Sequence, residues 1–289
     1  MNHELTKDFI NAHLNDDVNK LALSKFPDDI DKQFVIRQIQ ARQLLKKKLP
    51  SWSENDELLF PKRLSLEQCS SELTAKYKRT ISHRDEEAQC NISENQCRSV
   101  GEKRTISRRV AESQSRDASM APAIKHIDTS LHRILVDLTG GMGVDTSFLS
   151  DNFDETIYVE AQEELCELAR HNFKILNKNI EVVNAKAEDF LSQCDNVDCI
   201  YLDPARRDEY GRKMVSLHDC SPDVAELQDL IFEKSNTLIV KLSPMLDIDI
   251  IKKELKNIKE IHIVAVKNEC KEVLVLCQRT TDNNQLSAI

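Results

Sequence analysis

A doubly wound α/β sheet with an antiparallel edge strand, preceded by a small helical region, is the fold this sequence predicts. Three observations point there. After residue 131, short apolar runs alternate with helical stretches of about ten residues, as parallel strands joined by crossover helices require. The first of these runs ends in a glycine-rich turn, VDLTGGMGVD, which holds Gly140, Gly141 and Gly143, three of the five glycines in the chain. The last two runs are separated by a tight turn, too short for a crossover helix, so they form an antiparallel hairpin.

Taken from the N-terminus, DKQFVIRQIQARQLLKKKLPSW places Phe34, Val35, Ile39, Ala41, Leu45 and Leu49 on one side of a helical wheel, with Pro50 as the stop. A second helix is expected over SLEQCSSELTAKYKRT, where Ser65 and Gln68 have capping-box spacing. Residues 1–80 therefore read as a helical N-terminal region. Residues 81–130 are rich in Ser, Arg, Glu, Asn and Gln and hold too little apolar surface to offset their ordering entropy, so a flexible polar insertion is expected, with transient helix around SRRVAESQS. Residues 131–289 carry the sheet. Its strands are RILVDL, TIYVEA, IEVVNA, VDCIYLD, TLIVKLS, IHIVAVKNE and KEVLVLC, the last two joined at NECK. Its helices are VDTSFLSD, EELCELARHNFKIL, EDFLSQC, DVAELQDLIFEKS and DIDIIKKELKNI.

Composition narrows the function. No apolar run approaches a membrane span, and the opening MNHELTKDFINAH is too polar for a signal peptide, so a cytoplasmic protein without membrane partners is expected. Nine cysteines without any C-x-x-C suit a reducing compartment, with neither disulfides nor a metal site. The net charge of −9 is unevenly spread: residues 32–79 carry 11 basic and 5 acidic groups, the only basic block. A polyanion such as RNA would be met there, through Lys46, Lys47 and Lys48 first; a solvated helix face is the plain alternative.

Doubly wound sheets bind ligands beyond the carboxyl ends of their strands, where the glycine turn sits. A strand, glycine loop and helix bring backbone amides against a charged ligand, but such a turn is a weak signal alone. G-x-G-x-x-G fits only in part, since Thr146 stands where the last glycine belongs. Asp137, within the first strand, would repel a pyrophosphate and hold an ammonium. Glu160 ends the next strand, 17 residues beyond Gly143, where an acid can accept both hydroxyls of a ribose. A ribose together with an α-amino group describes S-adenosylmethionine. In YLDPARRDEY the fourth strand ends at Asp203 and Pro204; an Asp-Pro turn presents a carboxylate beside a backbone carbonyl, two acceptors for the hydrogens of an exocyclic amine. Arg206 and Arg207 follow as multidentate donors for phosphate or carboxylate.

The run VDLTGGMGVDTSFLS, the acid of IYVEA, YLDPARRD, LIVKLSPMLDI and VKNECKEVLVL together resemble class I S-adenosylmethionine-dependent methyltransferases with their Rossmann-like sheet. Within that class they are most similar to bacterial RNA methyltransferases whose C-terminus carries a ferredoxin-like and THUMP-like module. The resemblance spans about 134–278 and, more weakly, 5–80; it skips 81–130, and the expected RNA-binding module does not follow the last strand before Ile289, for which a truncated gene, a separate RNA-binding subunit or a lapsed enzyme would each account. It implies that Asp137, Gly140, Gly141 and Gly143 line the methionine end of the cofactor and Glu160 its ribose, with Thr139, Asp145 and Ala161 also among the cofactor-binding residues. Asp203 and Pro204, with Arg206 in place of the family's aromatic, would take the position of the amine-binding motif, and Arg207 would face substrate. The acid that contacts adenine aligns near Lys186, leaving Glu188 or Asp189 as substitutes. Ser70, Ser71 and Glu72 would cap the cofactor pocket or form plain helix surface. The implied activity is methyl transfer to a base amine of RNA; the competing readings are a non-catalytic RNA-binding factor and a methyltransferase for protein or small molecules.

Overall fold

The computed structural model describes residues 3–82, 132–206 and 216–279, which belong to one compact unit. The polar insertion lies outside the described residues from position 83 onward, as do Arg207 and the side chain of Arg206.

Strand β1 (Ile134–Asp137) ends in three fully buried residues because helices cover both of its faces. It pairs in parallel with β2 (Glu155–Glu160) and β4 (Val197–Leu202); β3 (Glu181–Asn184) adds beyond β2, and β7 (Ser235–Leu242) beyond β4. After Pro204 the two-residue strands β5 (Ala205–Arg206) and β6 (Cys220–Ser221) pair antiparallel outside this sheet. The final strands are β8 (Ile258–Val266) and β9 (Glu269–Gln278), and the seven-stranded order is β3-β2-β1-β4-β7-β9-β8. Thus the sheet is doubly wound and Rossmann-like with an antiparallel edge, as expected, although β9 inserts inside β8. Burial explains the inversion: Glu272–Cys277 of β9 are buried without a break and need cover on both faces, while β8 is mostly half-exposed and tolerates the edge. The hairpin turn is Lys267–Asn268, both with positive φ, and Cys270 is an exposed strand residue of β9, so the turn falls two residues earlier than NECK suggests.

The N-terminal region contributes α1 (His3–Ala12), α2 (Val18–Leu23), α3 (Lys32–Leu45), α4 (Pro50–Ser53), α5 (Arg63–Gln68) and α6 (Glu72–Ser82). Helix α3 stops at Leu45; Pro50 opens α4, where its missing N–H is harmless. The second expected helix is two helices. Ser65 lies inside α5, and the cap that matters is Ser71, whose Oγ accepts from the Thr74 N–H at the start of α6.

The sheet helices are α7 (Val144–Leu149), α8 (Glu163–Ile175), α9 (Ala187–Gln193), α10 (Val224–Lys234) and α11 (Ile248–Glu254). Helices α9, α10 and α11 pack one face through Leu191, Ile231 and Ile251 against Val136, Ile200, Leu238 and Val275. On the other face, Ile81 of α6 and Leu149 of α7 pack on Leu135, Tyr201, Ile239 and Leu274, and α8 packs on Tyr158 through Phe173. Helix α6 is therefore a covering layer of the sheet, and the N-terminal core of Leu45, Trp52, Phe60 and Leu66 also takes in Met142 and Val144 of the glycine turn. No helix among the described residues is long and apolar enough to cross a membrane.

Candidate functional site

The glycine turn between β1 and α7 owes each glycine to a different constraint. A Cβ on Gly140 would meet the Tyr158 ring at 2.2 Å, and one on Gly143 would meet Phe173 at 2.8 Å at a φ of +80°. Gly141 also has positive φ, +54°, yet a Cβ there would find nothing nearer than the Thr139 carbonyl at 3.7 Å. Gly140 and Gly143 are needed for packing; Gly141 borders open space, a cradle in which backbone can meet a ligand closely. Tyr158 Oη donates to the Gly141 carbonyl at 2.6 Å and holds the turn from beneath.

Asp137 is buried below the turn. One oxygen accepts from the Thr139 N–H at 2.9 Å, the other from Thr146 Oγ1 at 2.5 Å. Burial pushes its carboxyl up to about 7, with Asp145 and Asp203 adding repulsion and the Thr146 and Thr139 bonds opposing it. No cation lies against it among its described partners, so a ligand's ammonium fits the charge deficit there. Thr146, the residue that breaks the dinucleotide fingerprint, is thus a carboxylate partner. Glu160 accepts from the Gly141 N–H through one oxygen and from the Gln162 N–H through the other, both at 2.9 Å; each oxygen retains a lone pair for a hydroxyl. Ala161 beside it is exposed. Glu188 and Asp189 are exposed in the first turn of α9, which follows Lys186 as its cap residue.

Thr139 joins the two motifs. The backbone N–H of Asp203 donates to Thr139 Oγ1 at 2.6 Å, which sets the Asp-Pro turn directly against the glycine turn. Pro204 is half-buried behind Asp203, and Arg206 places its backbone in β5. Lys241, at the end of β7, donates to Asp203 Oδ2 at 2.5 Å. Burial works against the Lys241 charge, but Asp203, Asp145 and Glu272 outweigh it and raise its pKa.

Asp145, which the resemblance places at the cofactor, has several partners within the protein. It is buried in the first turn of α7, where Ser70 Oγ (2.7 Å) and Tyr201 Oη (2.8 Å) donate to its Oδ2, and Lys78 Nζ lies 3.1 Å from its Oδ1. Burial raises its pKa, but Lys78 and Lys241, with the two hydroxyl donors, prevail and hold it below the usual carboxylate range. Lys78 is fully buried and also bonds Ser70 Oγ at 2.9 Å and Glu272 Oε2 at 2.9 Å. Sequence reasoning missed Lys78, Glu272 and Tyr201. The signal for Lys78 was present: it shares the buried stripe of α6 with Thr74, Ala75, Ile81 and Ser82, an unusual place for a lysine. Ser71 and Glu72 serve structure, as the α6 cap and as acceptor of the Ser51 N–H.

The basic block disperses. Arg42 is buried and donates to the carbonyls of Asp56 and Leu58; Lys48 donates to those of Leu66 and Glu67. Arg37 and Lys62 pair with Glu164, Arg63 with Glu67, Lys76 with Glu72, and Arg79 with Asp151. Lys46 and Lys47 remain exposed. His218, Asp223 and Glu226 bring ligand atoms within 4.8 Å of one another, but Asp223 there caps α10 and binds His218.

No family model and no curated protein matches the chain. Among solved structures it is similar to the "putative methyltransferase from Porphyromonas gingivalis W83", with 26% identity and a TM-score of 0.68 over 95% of this chain. The chain spans 57% of that protein's length. Coarser likenesses, over about half of this chain, are to an rRNA methylase from Streptococcus thermophilus (16% identity, TM-score 0.38, 87% of its length) and to SMU.1697c of Streptococcus mutans in complex with SAH (15%, 0.37, 88%).

Proposed function

We propose that the chain is an S-adenosylmethionine-dependent methyltransferase that acts on an amine. The observation that carries this reading is the 2.6 Å bond from the Asp203 N–H to Thr139 Oγ1, which locks an amine-accepting turn onto a glycine loop flanked by two carboxylates. The likeness to the P. gingivalis protein over 95% of this chain supports it.

S-adenosylmethionine, when bound, supplies a methyl group on a sulfonium. Gly141 offers it close backbone approach, Asp137 a countercharge for its ammonium, and Glu160 acceptors for its ribose. Asp203 and the neighbouring carbonyl hold two hydrogens of the acceptor amine, turning the nitrogen lone pair toward the methyl. Most of the acceleration then comes from placement, which is worth several orders of magnitude when reacting atoms are aligned. The departing N–H proton passes to the Asp203 carboxylate or to water.

For the acceptor, we favour a base amine of RNA, since the Asp-Pro turn suits an exocyclic NH2 and Lys46 and Lys47 offer exposed charge for phosphate. The internal use of most of the basic block favours the second reading, a protein or small-molecule amine. Incubation with methyl-labelled S-adenosylmethionine and either total bacterial RNA or an RNA-free cell extract that retains protein and small molecules separates them. Label in RNA that is released as a methylated base supports the first reading; label in protein or small molecules alone supports the second; label in none of these defeats methyl transfer.

A further inference from the structure

The turn that carries Asp203 is backed by a chain of charges that leaves the cleft and ends in the N-terminal region. Asp203 is the exposed end, with 32% of its side chain accessible; Lys241, at 12%, bridges from it toward Asp145, and Lys78, at 0%, lies between Asp145 and Glu272. Two ammonium groups therefore serve three carboxylates. Lys241 stands 2.5 Å from Asp203 but 4.0 Å from Asp145, so it has two acceptors and has settled on one. What frees it for Asp203 is that Lys78 occupies Asp145 Oδ1 at 3.1 Å and Glu272 Oε1 at 2.8 Å. Without Lys78, two buried carboxylates would be left uncompensated, and the only other cation in reach among the described residues is Lys241. A buried unpaired charge is costly enough to move a long side chain by an ångström or two.

Ser70 and Lys78 both come from the segment preceding residue 83, and Met142 and Val144 of the glycine turn sit in that segment's apolar core. We propose that Lys241 is a positioning residue for Asp203, and that Lys78 of α6, three contacts away from Asp203, keeps it on Asp203 by neutralising Asp145 and Glu272. The N-terminal helices are then part of the reaction centre as well as a layer of the sheet. The role assigned to Asp203 rests on the methyl-transfer reading; the charge coupling itself does not.

The test uses the full chain and four forms: wild type, Lys78→Met, Lys78→Met with Asp145→Asn, and Lys76→Met. Lys76 lies two residues earlier, half-exposed and paired with Glu72 on the outer face. Crystal structures report the Lys241 position. In Lys78→Met its Nζ is expected within hydrogen-bond reach of Asp145 and away from Asp203; with Asp145→Asn added, the rival charge is gone and Lys241 moves back. Lys241 unmoved in Lys78→Met overturns the coupling. Should Lys78→Met fail to fold, Lys78→Gln, which keeps a donor for Ser70 and Glu272 without the charge, takes its place, and Lys241 unmoved there overturns the proposal. Methyl transfer from labelled S-adenosylmethionine to total RNA and to an RNA-free cell extract that retains protein and small molecules gives the second readout. Lys78→Met is expected to lower the transfer rate at least tenfold with cofactor affinity within threefold, the double variant to restore most of it, and Lys76→Met to match wild type. A rate that does not recover in the double variant, while Lys241 does return, overturns the positioning role. Absence of transfer by wild type overturns the methyl-transfer reading, and the Lys241 position in the crystal structures then decides the coupling by itself.

Discussion

The two faces of the sheet are built from the same strands on opposite principles. Toward α9, α10 and α11 they present Val136, Ile200, Leu202, Leu238, Val240 and Val275, all buried and all apolar. Toward α6, α7 and α8 the same strands begin apolar, with Leu135, Cys199 and Ile239, and end in Asp137, Asp203 and Lys241, while β9 adds Glu272. An apolar core suffices to hold a doubly wound sheet, and buried charges replaced by well-packed hydrophobes commonly leave a protein no less stable. A face that carries charge only toward the strands' carboxyl ends is therefore shaped by what it does there, and the opposite face carries the stability.

The largest effect expected is on the silent face. Leu238→Ala removes a fully buried side chain and should cost about 2–5 kcal/mol in denaturant unfolding while leaving S-adenosylmethionine affinity unchanged in calorimetry. A large loss of affinity at constant stability would show that the faces are not separate in function. On the charged face the balance reverses: Asp203→Ala should leave cofactor affinity within a few-fold and reduce the methyl-transfer rate by roughly 100-fold, about 2.7 kcal/mol in the barrier. Intact turnover would remove Asp203 from the chemistry.

Asp137 sharpens the comparison through pH. Its folded-state pKa of about 7 lies above the ordinary value of 3.8, so the folded protein holds this proton more tightly than the unfolded chain does. The unfolded state gains by ionising as pH rises from about 4 to about 7, and folding stability falls over that window before levelling off. Asp137→Asn keeps acceptor and donor capacity toward Thr139 and Thr146 without the charge. It should be more stable than wild type by roughly 1–3 kcal/mol above pH 7, with the gap closing toward pH 4, and should bind S-adenosylmethionine at least tenfold more weakly. Equal stability at every pH would mean that the carboxylate is not strained. The smallest effect is at the surface: Lys46→Ala or Lys47→Ala should lower the salt dependence of RNA binding by about one phosphate contact each, with folding unaffected. An unchanged slope would move the acceptor toward protein or small molecules.

These differences also mark what a linear reading of the chain reaches. The glycine turn, Asp137, Glu160 and the Asp-Pro turn are local patterns at strand ends, and the structure sets the first and last against each other through Thr139. Strand alternation was legible because apolar runs report burial, but it does not order neighbours: nothing in the run KEVLVLC says that β9 lies inside β8. The buried network was the least legible. Lys78 and Glu272 are 194 residues apart, and the partner of Lys78 that is nearest in sequence, Ser70, precedes the helix that carries it. The contacts of Asp145 with Ser70 and Tyr201, 75 and 56 residues away, were equally out of reach. The basic block was visible as charge, yet its contacts to carbonyls and to Glu164 depend on tertiary packing that a charge count does not contain.

Calorimetric titration of S-adenosylmethionine into the full chain, alongside Gly141→Ala, is the most direct test of the cofactor assignment. A Cβ on Gly141 meets no protein atom nearer than 3.7 Å, so the variant should lose only the 1–2 kcal/mol or so of its left-handed conformation and remain folded. Micromolar binding by wild type, weakened at least tenfold in a folded Gly141→Ala, is the predicted result. No binding by wild type, or equal binding by both, would contradict a cofactor seated on this turn.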